Sequence, residues 1–171
     1  MRRGFQKDMI AKVLGGAPKH TLADLEKMYP PRDLPVGAMV SRFAPSPTGF
    51  MHIGNFYGMM IDKKLAQQSG GVFFLRIEDT DSKREVAGAV DLILYAAKVF
   101  GLVPDEMPEC AATYGPYLQT ERKDIYKSVA AELLERGLAY PCFLSASEIE
   151  NIRSMQKSAG LPTGIYGEWA P

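Results

Sequence analysis

The run Val72-Phe73-Phe74-Leu75-Arg76-Ile77 constrains the fold more than any other stretch. It has strand length and is rich in aromatic and β-branched residues, without the alternation of a half-exposed strand. Such a strand is stable when both of its faces are covered, as in a parallel sheet with helices packed on it. The flanking patterns agree. Residues 39–43 read as a short strand ended by Pro45, which cannot continue a ladder. Between the two strands a helix is expected from about His52 to Gln68, with Ile53, Tyr57, Ile61 and Leu65 on one stripe and Gly70-Gly71 at its end. Asp81 or Ser82 is expected to cap a helix to about Phe100, carrying Val86, Val90, Ile93, Ala97 and Phe100 and closed by Gly101. Thr120 then caps a helix with Ile125, Val129, Leu133 and Leu134 that stops at Gly137. A short strand over 139–143 and a polar helix from Ser145 or Ser147 to about Lys157 complete the pattern. Alternating strands and helices imply βαβ units and an α/β fold.

The first 37 residues read as an extension with no chemistry of its own. Gly15-Gly16-Ala17-Pro18 breaks any early helix, Thr21 caps a short one, and Pro30, Pro31 and Pro35 force extended chain. Lys and Arg number 20, as do Asp and Glu, so a nucleic-acid contact must use a local basic patch. Cys110 and Cys142 form no C-x-x-C pair and read as reduced thiols of a cytoplasmic protein. No apolar run reaches the ~18 residues of a membrane helix. The start, Met1-Arg2-Arg3-Gly4-Phe5-Gln6-Lys7-Asp8, has no secretory h-region behind it.

The chemistry concentrates where strands end. In a parallel α/β sheet, ligands bind beyond the carboxyl ends of the strands. Arg42 to Ser46 lies at one such end, and Glu78, Asp79 and Asp81 lie at another. The segment Ala44-Pro45-Ser46-Pro47-Thr48-Gly49-Phe50-Met51-His52-Ile53-Gly54 turns a strand into a helix. The free N–H groups of that helix start suit a phosphate, with His52 placed to reach it. Neither G-x-G-x-x-G nor the P-loop pattern occurs. Asp79-Thr80-Asp81-Ser82-Lys83-Arg84 is no calcium loop, since Lys83 and Arg84 stand where a ligand and a glycine are needed. Asp79 and Asp81 read as structural, bonding loop amides and capping the next helix.

Four blocks in order carry a resemblance: 42–49 (RFAPSPTG), 51–55 (MHIGN), 75–81 (LRIEDTD) and 115–122 (GPYLQTER). Over about residues 38 to 145 the chain resembles the amino-terminal part of a class I glutamyl-tRNA synthetase. The resemblance implies a Rossmann-like parallel sheet with helices on both faces, the first half of a class I catalytic domain. It implies an extension over 1–37, that half-domain over 38–140 and the start of an acceptor-stem-binding subdomain over 141–171. The activity implied is ATP-dependent activation of L-glutamate and its attachment to tRNA-Glu, with Mg2+ accompanying ATP and no membrane partner.

By the same resemblance, His52 and Asn55 are the catalytic candidates, Asn55 standing where the fullest form of the signature has histidine. Arg42 would pair with the side-chain carboxylate of glutamate, for which a planar guanidinium is well matched. Ser46 and Glu78 would meet the α-amino end, with Phe43, Ala44 and Pro45 lining the glutamate pocket. Pro47, Thr48, Gly49, His52, Gly54 and Asn55 would hold ATP, with Gly54 leaving the nucleotide room. Some members carry zinc in a site that begins with a C-x-C pair. Here that stretch is Cys142-Phe143-Leu144, and a single thiolate cannot hold tetrahedral zinc, so no metal site is expected. The second nucleotide-binding block of the family, a Lys-Met-Ser-Lys type loop, is expected beyond position 171, and the isolated activity is expected to be undetectable. Glutaminyl enzymes usually read Pro-Glu-Pro-Asn-Gly at 45–49 and are disfavoured. A glutamyl-queuosine tRNA ligase, or a truncated tRNA-binding relative without catalysis, are the alternatives.

Overall fold

The computed structural model describes residues 5–49, 51–110 and 113–170. Met1 to Gly4 of the amino-terminal reading and Phe50 of the proline-rich segment lie outside them. The described residues divide into two units. One comprises residues to Ala17 with those from Leu133 onward, and the other spans Pro18–Glu132.

The larger unit is built on two parallel strands, β1 (Val40–Phe43) and β2 (Val72–Leu75), in the register Val40 to Val72 and Phe43 to Leu75. The ladder runs past both strand ends, because the Arg76 and Glu78 N–H groups donate to the carbonyls of Phe43 at 3.1 Å and Pro45 at 2.9 Å. The odd-numbered amides of β2 face the other way. Leu75 N–H donates to Glu106 and Ile77 N–H to Tyr117, each at 2.9 Å, so segments near 106 and 118 flank the sheet as parallel bridges.

Helix α3 (Ile53–Ser69) connects β1 to β2, and α4 (Ala89–Val99) follows β2. Both pack on the sheet face formed by Phe73, Leu75 and Ile77. Met59, Ala66 and Ala97 bury Phe73, while Ile93 packs on Leu75 and Ile77. Phe73, Leu75 and Ile77 have no exposed surface, whereas Val72, Phe74 and Arg76 on the other face are only half-buried, so α3 and α4 cover one face of the strand rather than the two that its apolar run suggests. The ion Lys63 ties the helices together by donating to the carbonyls of Gly101 at 3.0 Å and Val103 at 2.9 Å, satisfying groups at the end of α4.

Several expected boundaries move. The stripe Ile53, Tyr57, Ile61 and Leu65 faces outward, with Ile53 79% and Tyr57 62% exposed. The core face carries Met59 and Ala66, seven apart. Steps of four drift about 40° per step around a helix, whereas a step of seven nearly returns to its starting azimuth. The second long helix starts at Ala89, not at 81 or 82. Gly88 adopts φ 77° before it, and Val86, read as a helical residue, donates its N–H to the Pro47 carbonyl at 2.9 Å. Asp81 caps no helix and pairs instead with Arg84. Thr120 sits inside a 3-10 turn, Gln119–Arg122, that leads into α5 (Lys123–Glu135). Residues 139–143 form no strand.

Caps fare better. Thr21 accepts from Asp24 N–H and starts α2 (Leu22–Met28), and Asp24 reciprocates. Gly70 ends α3 in the left-handed region, φ 68°. In the smaller unit, α1 (Lys7–Val13) precedes the glycine break, with Ile10 buried. There α6 (Ala146–Ser158) opens on Ser145, whose oxygen accepts from Glu148 N–H. Buried Gln156 donates to and accepts from the Gly164 backbone at 2.7 and 2.8 Å, which pins the chain after α6.

Candidate functional site

The ends of β1 and β2 bring Arg42 and Glu78 together. Both lie on even-numbered positions of adjacent strands, so they project from the same sheet face. Arg42 Nη1 stands 3.0 Å from Glu78 Oε1, with the two side chains 37% and 33% exposed. A pair so open to water contributes under about 1 kcal/mol. Either partner can therefore exchange it for a ligand group at small cost.

Residues 43–49 carry the chain from β1 toward α3. Phe43 packs into the core beneath the sheet, and Ala44 and Pro45 are half-buried. Pro47 is fully buried and its carbonyl accepts from Val86 N–H, which anchors the loop. Pro45, Ser46, Thr48, Gly49, Met51 and Asn55 line a cavity of about 240 Å3. Ser46 and Gly49 are exposed at its rim.

His52 and Asn55 form a reciprocal cap on α3. The imidazole Nδ1 accepts from Gly54 N–H at 3.2 Å, and Asn55 Oδ1 accepts from His52 N–H at 3.0 Å. The Asn55 N–H is bonded too, to the His52 carbonyl at 2.9 Å. The amides of residues 54 and 55, expected to face a ligand as free donors, are thus spent inside the turn. What the turn offers instead is side-chain donors. A neutral imidazole that accepts at Nδ1 carries its proton on Nε2, and the Asn55 NH2 group still donates. Gly54 is explained by the histidine itself, because a Cβ there would lie 3.0 Å from the imidazole Nδ1 and Cε1 atoms.

Asp79 supports the glutamate beside it as a loop anchor. It accepts from Thr120 N–H at 2.8 Å and from the Thr120 hydroxyl at 2.5 Å, which locks the turn before α5 to the end of β2. Arg42 and Glu78 are therefore joined, and Ser46, Thr48, Gly49 and Asn55 share one cavity, whereas the His52 ring bonds within its own turn.

A second cluster escaped sequence reasoning. Arg32, in the proline-rich extension, grips Glu106 with Nη1 at 2.5 Å and Nη2 at 2.7 Å, and Tyr117 donates to the same carboxylate at 2.5 Å. Arg32 also lies 3.7 Å from the centre of the Tyr114 ring. The Arg32 bonds, followed by that of Tyr117, hold the Glu106 carboxyl below its ordinary range against the opposing effect of burial. Burial, with Glu106 second, pushes the Tyr117 hydroxyl well above its ordinary range. No local motif marks this cluster, since its members are 11 and 74 residues apart. Among the described residues no group of three His, Cys, Asp or Glu is placed to hold a metal. Cys110 and Cys142 are free thiols.

Residues 38–164 match the family described as tRNA synthetases class I (E and Q), catalytic domain. The chain is 51% identical over 146 residues to the glutamate–tRNA ligase of Acetivibrio thermocellus, covering 84% of this chain and 27% of that protein. It is 45% identical over 163 residues to the glutamate–tRNA ligase of Sorangium cellulosum, covering 86% and 28%. Among solved structures, the glutamate–tRNA ligase of Elizabethkingia meningosepticum in complex with its amino acid superimposes with a TM-score of 0.65. The identity is 40%, over 72% of this chain and 25% of that one. The chain thus spans about a quarter of the length of the curated relatives it matches.

Proposed function

Because the chain belongs to the class I (E and Q) tRNA synthetase catalytic-domain family, we propose that it builds the amino-acid activation pocket of a glutamate–tRNA ligase. The reaction would join L-glutamate to ATP with loss of pyrophosphate and then pass the glutamyl group to tRNA-Glu. In this reading residues 1–37 are an extension, 38–140 the first half of the catalytic domain and 141–171 the start of the acceptor-stem-binding subdomain.

The observation that carries the proposal is the Arg42–Glu78 pair at the paired strand ends. Its two charges match the two ends of an amino acid that has an acidic side chain. Arg42 would leave Glu78 for the ligand's side-chain carboxylate in two parallel bonds, and Glu78 would turn to the α-ammonium. Ser46 would bond near that ammonium, with Phe43, Ala44 and Pro45 shaping the wall. Glutamine offers Arg42 a neutral amide and leaves the guanidinium underpaired, which disfavours it.

His52 Nε2 and the Asn55 NH2 group would donate to the phosphates along Pro47, Thr48, Gly49 and Gly54. Donors fixed in advance by the cap on α3 meet the charge that builds on the α-phosphate when the glutamate α-carboxylate attacks it. Mg2+ would arrive with the triphosphate. A cytoplasmic setting goes with this activity, and Cys110 and Cys142 are free thiols, as cysteines are in a reducing compartment.

Calorimetric titration of glutamate and glutamine into the chain and into Arg42→Ala tests the assignment. Glutamate should bind better than glutamine, and Arg42→Ala should lose about tenfold or more in glutamate affinity, as expected for a charge-assisted pair. Equal glutamate affinity in both proteins would remove Arg42 from this role.

A further inference from the structure

The sheet face opposite α3 and α4 holds a second cavity, of about 260 Å3, lined by Tyr29, Arg32, Arg76, Tyr114, Tyr117 and Arg122 among others. Its charges do not balance. Arg32 is neutralised by the two-pronged bond to Glu106. Arg122 spends Nη1 on two uncharged groups, the carbonyls of Pro116 at 2.8 Å and Tyr114 at 3.4 Å. The Nε atoms of both Arg76 and Arg122 are buried without a hydrogen-bond partner. Glu78, the carboxylate that acts on Arg76, is already held by Arg42.

Guanidinium groups do not shed their protons in proteins. Two of them in one cavity, each with its Nε–H turned from water and, among the described residues, with no carboxylate bonded to either, are better satisfied when an anion joins them. Burial, with the Arg42 charge second, pulls Arg76 below its ordinary proton affinity, as expected of a cation lacking its partner. The space is smaller than the ~300–1,000 Å3 of pockets for drug-sized ligands, which suits an ion or a single acidic group better than a nucleotide.

We propose that this cavity is an oxyanion site, in which a phosphate or carboxylate group bridges Arg76 and Arg122 under the tyrosine rim. Planar guanidinium groups accept either oxyanion through paired N–H donors. The inference stands apart from the glutamate reading, which uses Arg42 and Glu78.

Thermal melting of the chain in sodium phosphate, in sodium acetate and in sodium chloride at equal ionic strength tests it and separates the two oxyanion sources. One of the two oxyanions should raise Tm saturably above chloride, by on the order of 4 °C at about ten times its dissociation constant. Arg76→Met should abolish that rise, and Arg122→Gln should weaken it. Arg42→Ala should keep the rise while losing glutamate binding, so failure of one site is distinguishable from failure of the other. The saturable rise in the unaltered chain needs no variant to fold. Identical melting in all three salts, an undiminished rise in folded Arg76→Met, or loss of the rise in Arg42→Ala would each overturn the proposal.

Discussion

Arg32 and Glu106 show what a single contact contributes away from the candidate pocket. Their side chains are 16% and 12% exposed, so the pair is shielded far more than Arg42 and Glu78. Bonds to charged groups in such settings are worth about 1.5–3 kcal/mol. Glu106→Gln should therefore cost on the order of 2 kcal/mol at neutral pH. The pH dependence follows from the depressed carboxyl of Glu106. A group whose proton affinity falls on folding stabilises the native state above its unfolded pKa and loses that contribution as pH drops through the folded value. The Tm gap between the native chain and Glu106→Gln should be full above about pH 4.5 and should close on further acidification. A gap that stays constant down to pH 3 would mean that the carboxylate charge contributes nothing. Of these residues, Arg42, His52 and Glu78 stood out in the sequence because each belongs to a local motif. Arg32 did not, because its partner lies 74 positions away and proline-rich extensions give no sign of what they touch.

At the scale of elements, the approach of β1 to β2 depends on one glycine. A Cβ at Gly71 would fall 1.9 Å from the Met39 carbonyl oxygen, the same oxygen that accepts from Val72 N–H at 3.0 Å. Backbone cannot yield there without breaking the first rung of the ladder. Gly71→Ala should cost about 3 kcal/mol or more, read as a lowered urea midpoint with an unchanged m value. A loss under about 0.5 kcal/mol, the range of neutral surface changes, would show that the strands are not so closely apposed. Local signals named the starts of α2 and α6, because Thr21 and Ser145 each satisfy amides within three residues. They failed at α4, whose start is set by Gly88 and by the bond from Val86 to Pro47, almost forty positions back in the chain. They failed also on α3, where the four apolar residues of the outer stripe outnumber the two positions, Met59 and Ala66, that meet the sheet. Residues 139–143 have strand composition, but among the described residues no strand pairs with them, and composition alone does not make a ladder.

At the scale of the molecule, one juxtaposition decides what the larger unit can bind. The larger unit brings an arginine and a glutamate together at paired strand ends, and a capped helix start opens after the next loop. The general architecture was legible because βαβ order follows from the alternation of periodicities. Which side chains meet in the pocket was not, since that depends on register. Arg42 sits opposite Phe74 in the ladder, and a slip of one residue would turn it to the helix-packed face. The most direct test is a structure of the chain with a non-hydrolysable glutamyl-adenylate analogue. The Arg42 guanidinium should leave Glu78 and lie within about 3 Å of the analogue's side-chain carboxylate, with the phosphate mimic beside His52 and Asn55. An analogue bound elsewhere, with the Arg42–Glu78 pair intact, would contradict this assignment.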